Sequence, residues 1–296
     1  MVMELHQLRY VVEVARRGSF TAAAQALHVS QSGVSAQVAK LERELGVRIF
    51  ARGSRVATPT AEGAALLPHA QAALAAVSQI DTTAADLAGL VRGEVRVGTV
   101  VGCTIPGYLS AFAAFRQAYP EIAVSAREGN SDVLVQALLS GNIDVALVAH
   151  ADPLPDDLEV QPIIDEPLAV GVPAHDGWAH RRSLPVSRLA GQPLLTLPNG
   201  TGVRSALQKT CTAKGLEIVP VVEAHSPEAL IALTSRGVGK AVLTESMMSA
   251  SDLATIRIEG SARTSLSLVT APAAGTAARA FANALRGGLV SPVDDA

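Results

Sequence analysis

From Ser19 to Leu45 the apolar positions recur with helical spacing rather than strand alternation. After Ser30, the residues Val34, Val38, Leu41 and Leu45 follow at steps of four, three and four, which is one stripe of a helix. Ser19 and Ser30 each precede such a segment, where a hydroxyl accepts an otherwise orphaned first-turn amide. The pattern predicts two short helices in tandem over about residues 20–39, joined by a tight turn. Opposite its apolar stripe the second helix carries Ser32, Ser35, Ala36, Ala39, Lys40 and Arg43. Small and polar side chains admit close approach to base edges, and the cations can reach phosphates. An ordinary core helix has the same stripe; a small, polar first turn on the second of two tandem helices points instead to DNA.

Farther along, Thr58 or Thr60 is placed to cap a long helix, with Pro59 tolerated in its first turn. Leu66, Ala70, Ala73, Val77, Ile80, Ala84 and Leu87 alternate steps of four and three, an a/d seam rich in small residues. A linker helix over residues 61–90 has little local surface for that face, so the seam predicts pairing with a second copy. Packing on its own domain is the alternative. Pro68 removes one helical hydrogen bond. Val91-Arg92-Gly93 breaks the pattern, and short apolar strands then alternate with helices. Strands are predicted at 94–100, 122–127, 143–148, 168–172, 194–197, 218–223, 241–244 and 265–270. Helices are predicted at 105–118, 132–140, 203–214, 228–235 and 277–285. Such alternation predicts an α/β domain with a parallel sheet covered on both faces.

At 296 residues the chain has room for about two domains. Its net charge of −3 hides a division: residues 1–60 hold eight Lys/Arg against four Asp/Glu, and the remainder is acidic. A basic head suits a phosphate-binding partner. The chain has no apolar run long enough to span a bilayer, and Met1-Val2-Met3-Glu4 does not read as a signal peptide, so no membrane association and a cytoplasmic location are expected. Two cysteines, Cys103 and Cys211, are too few for a disulfide scaffold.

Residues flanking the tandem helices form an ordered series. Leu5-His6-Gln7-Leu8-Arg9-Tyr10-Val11-Val12 and Gly18-Ser19-Phe20-Thr21 come before the turn. Leu41-Glu42-Arg43-Glu44-Leu45-Gly46-Val47-Arg48-Ile49-Phe50, Arg52, Arg55 and Thr58-Pro59-Thr60-Ala61-Glu62-Gly63 come after it. The series resembles the winged helix-turn-helix of the LysR-type transcriptional regulators, densely over the first 60 or so residues and more loosely beyond. Ala22 and Ala36 stand where that family usually has arginine, and Ser32 where it often has proline. The resemblance implies a winged DNA-binding domain over 1–60, a dimerising linker helix and an effector domain over 91–290. That domain is expected as two Rossmann-like lobes, like a type 2 periplasmic binding protein: lobe I over 92–162 and 266–290, lobe II over 163–265, and a tail at 291–296. It also implies a homodimer, a tetramer built from dimers, and RNA polymerase as a partner.

Ligands in such folds sit where strand ends of the two lobes meet. Candidate effector contacts are Thr99, Cys103 and Thr104 after the first strand and Ser131 at the next helix start, with Thr201, His225 and Ser226 from lobe II. Hydroxyls and amides at helix starts favour an acidic effector, although plain capping by Ser131 and Thr201 uses the same atoms. Arg204 could meet an acidic ligand or form a surface ion pair. On the DNA side, Ser30, Gln31, Ser32, Ser35 and Gln37 are candidates near base edges. Lys40, Arg52 and Arg55 are candidates for phosphates, with the wing around Gly53 in the minor groove.

Patterns that mimic catalysis are weak. His175 and His180 are five apart, whereas a helical zinc pair needs four. Gly237-Val238-Gly239-Lys240 lacks the earlier glycine and following hydroxyl of a phosphate loop. No metal, cofactor or enzymatic activity is expected. The leading expectation is a sequence-specific regulator that binds a promoter inverted repeat and answers to a small-molecule effector. An α/β solute-binding protein or enzyme with a DNA-binding head, and a constitutive architectural DNA binder, are the alternatives.

Overall fold

In the computed structural model, residues 3–51, 56–87, 93–103, 105 and 107–290 are described. Thr104, Arg52, Arg55, Gly53 and the tail at 291–296 lie outside them. The chain divides into two compact units, Met1–Gly89 with Leu139–Asn142, and Leu90–Leu138 with Ile143–Ala296.

The head is built by local capping. Helix α1 (Leu5–Arg17) opens with a capping box between Glu4 and Gln7 and ends at Gly18, whose φ is +61°. Helix α2 (Phe20–Ala26) is capped by Ser19, which accepts from the Ala22 amide, and α3 (Gln31–Leu45) by Ser30, which accepts from Gly33. The turn between them holds His28 at φ +54°, a left-handed conformation that a side chain adopts only at some cost. Leu8, Val11 and Val14 of α1 meet Ala23 and Ala24 of α2 and Val34, Val38 and Leu41 of α3 in one core. Beyond α3, Phe50 and Pro59 form an antiparallel bridge and Ala51 donates to the Thr58 carbonyl, so residues 52–55 are flanked by a paired base.

Helix α4 (Ala61–Leu87) starts where Thr60 accepts from the Gly63 amide. A Cβ on Gly63 would sit 2.1 Å from the Ile49 carbonyl oxygen, so only glycine permits this approach. The apolar seam divides in two. Leu66, Ala70 and Ala73 pack into the core of the head, whereas Ile80 is 67% exposed and Ala84 is also exposed. Packing on its own domain thus takes the first half of the seam.

The second unit follows the predicted alternation with several corrections. In order it contains β1 (Gly93–Val100), α5 (Tyr108–Ala118), β2 (Ile122–Gly129), α6 (Ser131–Leu139), β3 (Val145–His150) and β4 (Glu159–Val172). Then come β5 (Ser183–Pro185), β6 (Leu194–Thr196), α7 (Gly202–Thr212), β7 (Val222–Glu223), α8 (Pro227–Ser235) and β8 (Lys240–Thr244). The last elements are α9 (Glu245–Met248), β9 (Ala254–Glu259), β10 (Arg263–Thr270) and α10 (Thr276–Val290). The sheet runs β2-β1-β3-β10-β4-β8-β6-β7, with β9 pairing β4 and β5. It is mixed rather than wholly parallel, since β10 is antiparallel to both β3 and β4. Strand β4 passes through both lobes. Its residues to Pro167 pair with β10, and from Leu168 onward it pairs with β8 and β9. The sheet handover therefore lies beyond the 162/163 division read from the chain. The register of β4 slips between Ile164 and Pro162, a bulge that accommodates a proline inside the strand.

Each lobe has its own core. Lobe I buries Phe115 and Phe281, packed edge to face, against Val95, Val97 and Leu147. Lobe II buries Leu168, Val170, Leu195, Val203, Leu207 and Leu243.

Candidate DNA-binding face and effector cleft

The two candidate sites are surfaces left by the packing just described. Helix α3 buries Val34, Val38 and Leu41 and leaves Ser30, Gln31, Ser32, Ser35 and Lys40 exposed. The Ser30 hydroxyl is used twice: it accepts from the Gly33 amide at 3.1 Å and from the Ser32 hydroxyl at 3.3 Å. Lys40 stands 3.9 Å from Glu44, one turn on. Gln37 is half-buried, and its carbonyl accepts from the Gln7 amide at 3.1 Å. Gln7 is fully buried and also accepts from the Glu4 amide, so this pair fixes α3 on α1. Gln37 is thereby a positioning residue at its carbonyl end. Glu42, not singled out in the sequence, accepts from the Ile49 and Phe50 amides at 2.8 and 3.1 Å and holds the chain entering residues 52–55.

The lobes meet through polar contacts at helix starts. Asn130 donates to the Asn199 carbonyl at 3.2 Å, and its own carbonyl lies 3.1 Å from His225 Nδ1. The Asp132 amide donates to the Gly200 carbonyl at 3.3 Å. Gly200, at φ +86°, lies so near the Asp132 carboxylate that a Cβ would be 2.6 Å from it. Beside this seam lies a cavity of about 540 Å³ lined by Ser131, Asp132, His150, Asp152, Thr201 and Arg204, among others.

Ser131 and Thr201 thus come together on one cavity. Ser131 is buried and is not a cap; its hydroxyl accepts from the Ala149 amide at 3.1 Å. Thr201 is a cap, accepting from Arg204 at 3.3 Å and donating to the Pro198 carbonyl at 2.8 Å. Thr99 is buried at the end of β1, and Cys103 packs partly into the core of lobe I; neither lines the cavity. His225 sits on the inter-lobe seam, and Ser226 caps α8 through the Ala229 amide. Arg204 pairs with Glu223 at 3.5 Å, the ion-pair alternative. Lys209 bonds to the Ala151 carbonyl and pairs with Asp152, which holds that carboxyl below its ordinary range. The chain pattern overlooked Asp152, because an isolated polar loop residue carries no periodicity; Asn130 and Asp132 flank the candidate Ser131. The lining carries carboxylates as well as cations, which offsets the attraction of helix starts for an anion.

These features define a helix-turn-helix DNA binder joined to a two-lobed ligand-binding domain. Two family models match: bacterial regulatory helix-turn-helix protein, lysR family, over residues 5–64, and LysR substrate binding domain over residues 88–289. The chain belongs to the LysR family of transcription regulators. It is 30% identical over 243 residues to the DNA-binding transcriptional dual regulator OxyR of Escherichia coli, covering 81% of this chain and 79% of the relative. It is 28% identical to the transcriptional activator CmpR of Synechocystis over 242 residues, covering 81% and 78%. A variant of full-length OxyR from Pseudomonas aeruginosa superposes with a TM-score of 0.71 at 25% identity, covering 97% of this chain and 95% of that one. Full-length CbnR complexed with its target DNA gives 0.61 at 26% identity, covering 97% and 100%.

Proposed function

We propose that the chain, as a dimer, reads an inverted repeat with α3 and that a small polar effector seated between the lobes alters how it does so. The reading is carried by α3, which buries its stripe in the head and leaves Gln31, Ser32, Ser35 and Lys40 exposed. Arg52 and Arg55 supply phosphate contacts beside the paired base at Phe50 and Pro59. The α4 seam, exposed at Ile80 and Ala84, meets its counterpart in the partner, and two dimers assemble into a tetramer. The effector binds across Ser131 and Thr201, beside the inter-lobe seam at His225; Thr99, Cys103 and Ser226 lie outside that lining. The regulator acts in the cytoplasm, beside RNA polymerase at promoters, and has no enzymatic activity. The Ser267 hydroxyl and His150 lie 2.9 Å apart, but Ser267 is fully buried in a strand paired on both sides, out of reach of a substrate.

Binding-site selection on the wild type, Gln31→Ala, Ser35→Ala and Arg52→Ala tests the DNA reading. The helix variants are expected to lose about 1–3 kcal/mol at particular base pairs. Arg52→Ala is expected to weaken all duplexes alike and to lower the salt slope by about one unit. Unchanged base preference in both helix variants would remove α3 from the site.

A further inference from the structure

The exposed face of α3 restricts which bases it can distinguish. Recognition helices present their N-terminal turns to base edges. Over residues 31–39, about two and a half turns, the exposed side chains are Gln31, Ser32, Ser35, Ala36 and Ala39. No arginine or lysine occurs in that stretch. The first cations come later and are engaged on the helix itself: Lys40 lies near Glu44, and Arg43 donates to the Ala39 carbonyl at 3.2 Å. Gln37 is turned toward Gln7.

Each base pair demands different chemistry in the major groove. Guanine is read chiefly by a bidentate arginine or lysine on O6 and N7. Adenine is read by the amide of glutamine or asparagine on N6 and N7, and the thymine methyl by an apolar contact such as alanine. Here one glutamine and two exposed alanine methyls occupy the reading turns. Serine hydroxyls serve either pair and discriminate little. Building on the reading of α3 as the recognition helix, we infer that its half-site is specified as A·T pairs, with Gln31 on an adenine and the Ala36 methyl on a thymine methyl. Guanine has no dedicated partner within residues 31–39. Ala36 is therefore a specificity-determining residue, although it has no polar atom in its side chain.

A narrow minor groove also selects A·T pairs, but that preference survives loss of the thymine methyl. Replacing thymine by uracil removes only that methyl and separates the two. The test uses the full chain. Its selected duplex is titrated by fluorescence anisotropy with each thymine exchanged in turn for uracil, for the wild type, Ala36→Gly and Ala36→Arg. In the wild type, uracil at one position per half-site is expected to weaken binding about three- to fivefold, the scale of one buried methyl. In Ala36→Gly the same exchange is expected to change nothing; because each variant is compared with itself, any helix destabilisation cancels. Ala36→Arg is expected to select guanine there. A G·C pair fixed beneath the reading turns of the wild type, or indifference to uracil at every position, overturns the inference while leaving α3 as the recognition helix. Failure to select any sequence overturns that reading and the inference together.

Discussion

Cys103 and Cys211 decide whether this chain can answer to oxidants as a thiol switch. The thiolate is the reactive form. Burial pushes both thiols up from their ordinary range, Cys103 against the core of lobe I and Cys211 within that of lobe II. Burial therefore disfavours the thiolate at both positions. They also belong to different cores, which leaves neither a partner for an internal disulfide. Slow labelling of the native chain by a thiol reagent is expected, together with operator affinity unaffected by excess peroxide. Peroxide-dependent DNA binding that Cys103→Ser or Cys211→Ser abolishes would contradict this. Residue roles were unevenly legible in the sequence. The caps at Ser19, Ser30 and Thr201 could be placed because a cap needs only a hydroxyl ahead of a periodic run. Ser131 could not, because its acceptor role depends on the Ala149 amide of a distant strand. The tie of the Gln37 carbonyl to Gln7 was hidden for the same reason: its partner lies on another helix.

Among the elements, α4 shows how far periodicity carries. Its heptad seam was visible in the chain, but a seam does not say which surface covers it. Ala70 is buried in the head while Ile80, on the same seam, is 67% exposed. The two positions should consequently fail in different ways. Ala70→Asp places an unpaired carboxylate in the core of the head and is expected to lower its stability by several kcal/mol. Ile80→Asp leaves the fold of the protomer intact and is expected to dissociate the dimer. Calorimetry together with sedimentation of both variants checks this; an Ile80→Asp chain that stays dimeric would locate the interface off the helix. Sheet elements were less legible. The strand predicted over 218–223 shrinks to Val222–Glu223, since Pro220 has no amide to donate and leaves Val219 exposed. Strand β9 was overlooked although Ile256 and Ile258 alternate with exposed residues, as a six-residue run carries little pattern. The passage of β4 through both lobes has no local signal, because the change of partner occurs inside one continuous strand.

At the scale of the whole effector domain, ligand response requires two arrangements of the lobes whose balance a small molecule can shift. The chain leaves and re-enters lobe I by way of β4 and β10, which pair with each other. A change in the cleft then bears on contacts between helix starts rather than on the cores. Asn130 is central there: one side-chain amide engages the Asn199 carbonyl and His225 at once, joining two lobe II loops to lobe I. The Asp132–Gly200 backbone bond, the Asp152 contacts with Ser205 and Lys209, and the Lys209 bond to the Ala151 carbonyl lie alongside it. Removing the Asn130 amide deletes two contacts worth about 0.5–1.5 kcal/mol each, or roughly a 5- to 150-fold shift toward separated lobes. Asn130→Ala is thus expected to speed hydrogen exchange of the amides at 199–204 and 226–229 in the full chain, while exchange in the core of β3 and β10 stays as in the wild type. Affinity for operator DNA should change in the same variant without any substitution in the head, because the balance of lobe arrangements is what the effector would otherwise set. Unaltered exchange at both loops would show that the remaining contacts hold the lobes and that Asn130 has no part in their closure.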